Sequence, residues 1–214
     1  MDQNSRNSER LPSAKLAHFV KDYATLLSAW RLEDATALVR WNYPFREAVY
    51  FDPLSGQSYR PWHSVYIQFV NSPDLQLWTS DLGPKYNVVH SREHGDVFRG
   101  VFDAMRLQFV PPIDTVISVG EMWDVALRES DSAYSARSGI SAVRASGFAT
   151  VAAAVGCRKR WRLWSERASS TLTKLEQASA VPAYSGLASF LRRLDVAVAE
   201  DHVLQFLESP EVPD

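Results

Sequence analysis

The chain has 214 residues, of which 46% are apolar, 22% charged and 12% aromatic, with a formal net charge of −2. That composition excludes disorder over the bulk of the chain, and the slight acidic balance speaks against a dedicated nucleic-acid binder. No run reaches the roughly 20 apolar residues of a membrane span, and the single cysteine, Cys157, has no internal disulfide partner. The polar start MDQNSRNSER has no signal-peptide core, so the expectation is a soluble, cytoplasmic protein.

Residues 1–12 read as a polar tail. From Ser13, as N-cap, Leu16, Phe19, Val20, Tyr23, Leu26, Leu27 and Trp30 recur at helical spacing and predict an amphipathic helix. A second helical piece is expected from Glu33 to Trp41, ended by Pro44. Arg46 to Phe51 reads as a strand, Asp52-Pro-Leu-Ser-Gly56 as a turn, and His63 to Val70 as another strand. Pro73, Gly83 and Pro84 predict a surface loop between Asn71 and Tyr86, and a helix follows from Ser91 to Phe109, stopped by Pro111-Pro112.

From Ile113 the apolar spacing reads as period two. Antiparallel strands are expected at Ile113 to Arg128, Ala133 to Ala145, Phe148 to Cys157 and Trp161 to Glu166. For Ala149 to Val155 a helix is the alternative, because alanine favours helices over strands. Ser169 to Gln177 predicts a short helix, Pro182 a break, and Ser185 to Leu207 an amphipathic helix before a Pro-rich tail. Trp123, Val125, Leu127, Ile140 and Ala142 then give the sheet a second apolar face, which predicts a homodimer unless the last helix covers it.

The segment YATLLSAWRLEDATALVRWNYPFREAVYFDPLSG, Tyr23 to Gly56, resembles the opening of the nuclear transport factor 2-like superfamily, in particular its ketosteroid isomerase and SnoaL-like cyclase members. Those begin with a Tyr-containing helix, an Asp-containing link, a second helix, and a strand ending in Asp-Pro with Gly shortly after. Trp161-Arg162-Leu163 is similar to the Trp-Arg-Ile/Leu that starts the family's last strand. The resemblance implies an α+β fold: a cone-shaped curved antiparallel sheet packed by N-terminal helices, over residues 13–170, with an insertion near 57–90. Residues 171–208 would be a C-terminal helical extension and 209–214 a tail.

What the resemblance implies chemically is an apolar pocket for a small, carbonyl-bearing molecule and an isomerase, cyclase or dehydratase reaction; the alternative is a non-catalytic binding or dimerisation module of the same fold. Tyr23 would donate to a developing oxyanion and Asp52 would move the proton, with Asp124 as the candidate second acid and His94 as a candidate base. The structural alternatives are a core ring for Tyr23 and a turn cap for Asp52.

His90-Ser-Arg-Glu93-His94 matches the inverted zinc motif, but Ser91 as helix N-cap would leave His90 outside the helix, so no metal is expected. Arg158-Lys-Arg-Trp-Arg162-Leu-Trp164 interleaves cations with aromatics, a pattern a hairpin turn explains as well as a nucleic-acid contact does. Cys157 has no histidine near it in sequence, which leaves it an inert sulfur. Phosphate-loop, dinucleotide and nucleophile-elbow fingerprints are absent from the sequence, so no cofactor is expected.

Overall fold

The computed structural model describes residues 9–136, 140–177 and 185–209. The protein is α+β. Helix α1 (Ser13–Ala24) leads into strands β1 (Arg31–Asp34), β2 (Ala37–Asn42), β3 (Phe45–Leu54), β4 (Ser58–Ile67) and β5 (Leu75–Asp81), then the two-residue β6 (Val89–His90). Among the described residues, the regular elements that follow are all helices: α2 (His94–Gln108), α3 (Val119–Ser135), α4 (Ala142–Ala154), α5 (Arg158–Gln177), α6 (Ser185–Ala199) and α7 (Val203–Glu208). The strands form one curved, unclosed antiparallel sheet in the order β1-β2-β3-β4-β5, with β6 added to β4 so that Tyr59 faces Val89. None of the described helices is long and apolar enough to cross a membrane.

Several sequence expectations are corrected. The first helix stops at Ala24 instead of reaching Trp30, because Thr25 turns its hydroxyl back onto Asp22 O at 2.7 Å and the next amides close tight turns. The helix expected from Glu33 to Trp41 is the β1–β2 hairpin. Asp34 Oδ1 accepts both the amide of Thr36, at 2.6 Å, and its hydroxyl, at 2.9 Å, and this local bond competes directly with a helical backbone. Pro44 follows a cis peptide bond in the β2–β3 turn. The loop expected from Asn71 to Tyr86 contains β5, whose Leu75, Leu77 and Trp78 are buried between the flanking prolines.

The largest correction concerns everything after Ile113. Where the chain is described, the strands expected at Ile113 to Arg128, Ala133 to Ala145, Phe148 to Cys157 and Trp161 to Glu166 fall on helices α3, α4 and α5, on the segment that precedes α3 and on short links; residues 137–139 of the second lie outside the described residues. Helix α4 is the Ala-rich run for which a helix was the alternative; it is buried nearly all round, with residues 145–153 all inside, so it shows no polar face to betray a helical period. Trp161-Arg162-Leu163, similar to the start of a last strand, lies within α5, and the expected short helix Ser169 to Gln177 is the end of the same element. Trp123, Val125, Leu127 and Ala142 sit on helices, and Ile140 lies just before one, so the proposed second apolar face of a sheet has no strand beneath it. The C-terminal helix is broken into α6 and α7 at Asp201, which takes a left-handed φ of 61°. Residues 1–8, Pro182 and residues 210–214 lie outside the described residues.

Two compact units divide the chain. The first takes the described residues up to Trp41, Arg46–Val65 and Thr79–Ser118; the second takes Asn42–Phe45, Tyr66–Trp78 and the described residues from Val119 onward. In the first unit, α1 and α2 contribute Leu16, Phe19, Val20, Tyr23, Val101 and Met105 to one core with Val49, Phe51 and Tyr59. In the second, α4 approaches β5 so closely that a Cβ on Gly147 would stand 2.8 Å from Leu77 Cδ2, and Arg144 Nε donates to Leu77 O at 2.9 Å. There Trp164 packs on Phe148 and donates its indole N–H to Ser130 Oγ at 2.6 Å.

Candidate functional site

Helical spacing puts Phe19 and Tyr23 on one face of α1, four residues apart. Asp22, beside Tyr23, reaches the start of α2. There His94 Nε2 lies 3.0 Å from Asp22 Oδ2, His94 Nδ1 lies 2.8 Å from the Tyr59 hydroxyl, and that hydroxyl lies 2.8 Å from the Tyr23 hydroxyl. The carboxylate can only accept, so Nε2 carries the imidazole proton and Nδ1 is the acceptor. The direction of every bond follows: Tyr23 donates to Tyr59, Tyr59 to His94, and His94 to Asp22.

Tyr23 and Tyr59 are fully buried, His94 is 4% exposed, and only the Asp22 end reaches solvent. Burial pushes both phenols well above their ordinary value, and for Tyr23 the neighbouring Tyr59 adds to the effect. Burial likewise holds the His94 imidazole below its ordinary value, although Asp22 pulls the other way, which agrees with a neutral ring. The space around the chain is occupied. Phe19 stacks on His94 with ring centroids 4.0 Å apart, Phe98 lies 5.4 Å away on the same imidazole, and Phe51 stacks on Tyr23 at 4.9 Å.

Of the residues expected to carry chemistry, the fold thus brings Tyr23 and His94 together through Tyr59. Asp52 is elsewhere on the unit, on β3, half-exposed and paired with Arg60 Nη2 at 3.0 Å. Asp124 is exposed on α3 in the second unit. The turn expected from Asp52 to Gly56 is confined to residues 55–57, since β3 runs on to Leu54. His90 is exposed on β6, and both ring nitrogens of His94 are engaged by Asp22 and Tyr59, which leaves the zinc-like spacing without its second ligand. Sequence reasoning missed Asp22 and Tyr59. Tyr59 precedes Pro61, and a proline inside a strand conceals it; the alternation of buried Tyr59, Pro61, His63 and Val65 was the available signal.

A second buried polar cluster belongs to the same unit. Arg40 on β2 forks onto Glu47 of β3 through Nε and Nη2, both at 2.8 Å, and its Nη1 donates to Thr115 O at 2.7 Å. The guanidinium also lies 4.9 Å from the centre of the Trp30 ring. His63, with no exposed surface, stacks on Phe109 and stands 3.6 Å from Glu47 Oε2, within ion-pair range but too far for a hydrogen bond, and neither ring nitrogen has a hydrogen bond among the described residues. Burial works to raise the Glu47 carboxyl, but the neighbouring His63 and Arg40 outweigh it and hold the group below the usual carboxylate range. Burial holds His63 below its ordinary value.

The surface of the first unit carries an open basin of about 590 Å³ lined by Lys15, Ser55, Gly56, Gln57, His90, Ser91 and Arg92. On the second unit, two of the four cations at the start of α5 are paired: Arg160 holds Asp131 through two bonds of 3.0 and 2.6 Å, and the exposed Arg158 meets Asp201 at 3.4 Å. Comparison with family models, with curated proteins and with solved structures returns no match for this chain.

Proposed function

We propose that the protein is a non-catalytic binding module. In the nuclear transport factor 2-like reading, Tyr23 would look into a hollow cone and meet an apolar ligand. The observation that carries the module instead is the closed hydrogen-bond chain: the Tyr23 hydroxyl is spent on Tyr59, in an interior where Phe19, Phe51 and Phe98 fill the space beside the polar groups. A phenol that donates to a neighbour and has no exposed surface serves the fold. Ligand contact then falls to the surface of the unit.

An enzyme of the isomerase, cyclase or dehydratase type is the second reading, favoured by one feature. The order Asp22, His94, Tyr59 is that of a carboxylate orienting an imidazole that accepts from a hydroxyl, which is how a hydroxyl is activated. Alkaline spectrophotometric titration of the eight tyrosines separates the two. The module predicts that two phenols, assigned with Tyr23→Phe and Tyr59→Phe, stay protonated until the protein unfolds. A Tyr59 that ionises below the ordinary value near 10 means an activated hydroxyl, and overturns the module.

A further inference from the structure

Resting on the reading of the protein as a binding module, we propose that the basin beside the β3–β4 turn binds a phosphate-bearing small molecule of about nucleotide size. Three segments build it. The first turn of α1 supplies Lys15, the turn supplies Ser55, Gly56 and Gln57, and the end of β6 with its link to α2 supplies His90, Ser91 and Arg92. The lining holds two permanent cations, an imidazole, two hydroxyls and an amide, and no carboxylate, although the chain as a whole is slightly acidic. Charge of one sign gathered in a concavity selects an anion.

The contacts already present suit a phosphate. Lys15 Nζ donates to Ser91 Oγ at 3.0 Å, which ties α1 to the opposite wall and leaves the Ser91 hydroxyl hydrogen free to turn toward an acceptor. Arg92 is 82% exposed and, among the described residues, is held by its sequence neighbour Glu93 alone, at 3.3 Å, so its fork can swing onto an anion without breaking a core contact. An ammonium and a guanidinium on separate walls balance the two charges of a phosphate monoester. A bare phosphate would leave most of about 590 Å³ empty, and that volume falls within the range of small-molecule sites.

The turn adds an independent observation. Gly56 and Gln57 both have positive φ, 70° and 54°, and the second is a conformation that glycine adopts more readily than any other residue. The Gln57 backbone is fixed from both sides: its N–H donates to Glu9 O at 3.2 Å, and its carbonyl accepts from Ser91 N at 2.9 Å. A glycine would make the same backbone bonds without the strain. What glutamine adds is a side-chain amide at the edge of the basin; its Nε2 donates to Arg10 O at 3.4 Å, a long bond on an exposed side chain that an anion can replace, and strain held at a binding loop is strain that a ligand contact justifies.

The test is a ¹H–¹⁵N NMR titration of the full chain with adenosine monophosphate, with inorganic phosphate and with adenosine. The site predicts saturable shifts at residues 15, 55–57 and 90–92 with the monophosphate, weaker binding of inorganic phosphate at the same residues, and none of adenosine. Lys15→Ala and Arg92→Ala should each weaken the monophosphate about tenfold. Gln57→Gly should weaken it too while raising the thermal midpoint, a pairing that damage to the fold does not produce. Shifts that never saturate, or that persist unchanged in the Lys15→Ala/Arg92→Ala double variant, overturn the site. That failure would leave the module reading standing, since the tyrosine titration reports on the buried chain and not on the basin.

Discussion

Removing one oxygen from the buried chain should have very different costs at its two tyrosines. Tyr23 begins the chain as a donor, so Tyr23→Phe takes away a bond but leaves the Tyr59 hydroxyl still donating to His94. The loss is that of one ordinary hydrogen bond, about 1 kcal/mol. Tyr59 is the middle link. Tyr59→Phe leaves the Tyr23 hydroxyl without an acceptor and His94 Nδ1 without a donor, both in an interior closed to water. Each orphaned group costs about 1–3 kcal/mol, so the two together cost about 2–6 kcal/mol, a large fraction of a domain's stability of about 5–15 kcal/mol. Urea denaturation followed by circular dichroism, with wild type and both variants under one buffer, measures the difference. Equal losses, or a larger one at Tyr23, would refute the direction assigned to the bonds.

Other consequences follow from the same interior. Glu47→Gln leaves the Arg40 guanidinium buried without its counter-charge, and should lower unfolding free energy by about 3–5 kcal/mol in the same denaturation assay. Both His63 and His94 are held below their ordinary value, so below about pH 6.5 the unfolded chain takes up protons that the folded one refuses. Stability is therefore fully present above that pH and falls as pH drops toward the folded-state values. Glu47 adds its own loss only further down, as pH passes through its lowered value. Thermal midpoints measured between pH 8 and pH 5 should show the decline, and His63→Leu should flatten it; an unchanged slope would remove His63 as a cause. Gly147→Ala gains helix propensity, yet its Cβ meets Leu77 Cδ2 at 2.8 Å and Gln76 O at 3.2 Å, so a net loss of about 1–2 kcal/mol is expected on chemical denaturation.

How much of this was legible in the sequence depended on how far each element kept a polar face. The first helix and α2 were readable, because Leu16, Phe19, Val20 and Tyr23 in one, and Val101 and Met105 in the other, alternate with charged residues at helical spacing. Helix α4 was not, since burial on every side removes the contrast that periodicity measures. In α3 the spacing of Trp123, Val125 and Leu127 imitates a strand, while the buried stripe is Met122, Val125 and Ala126. The β1–β2 hairpin was hidden by good helix formers, and its decisive feature, the Asp34 side chain closing on Thr36, is a three-residue event. The site followed the same logic. Tyr23 and His94 stood out as single residues, but their connection through Tyr59 depends on bringing α1, β4 and α2 together, which no local pattern records. Asp52-Pro53 has the sequence of a turn, yet the structure uses it near the end of a strand, with an ion pair from Asp52 to Arg60.

If the polar groups around Tyr23 serve the fold as one chain of hydrogen bonds, His94 must be neutral, and its protonation can be measured. Imidazole ¹⁵N chemical shifts, recorded on uniformly labelled protein and assigned with Tyr59→Phe, report both charge and tautomer. The expected result is a neutral ring at pH 7, protonated at Nε2 toward Asp22 and accepting at Nδ1 from Tyr59, that gains its second proton only below the ordinary value near 6.5. An imidazolium at pH 7, or a proton resident on Nδ1, would contradict it.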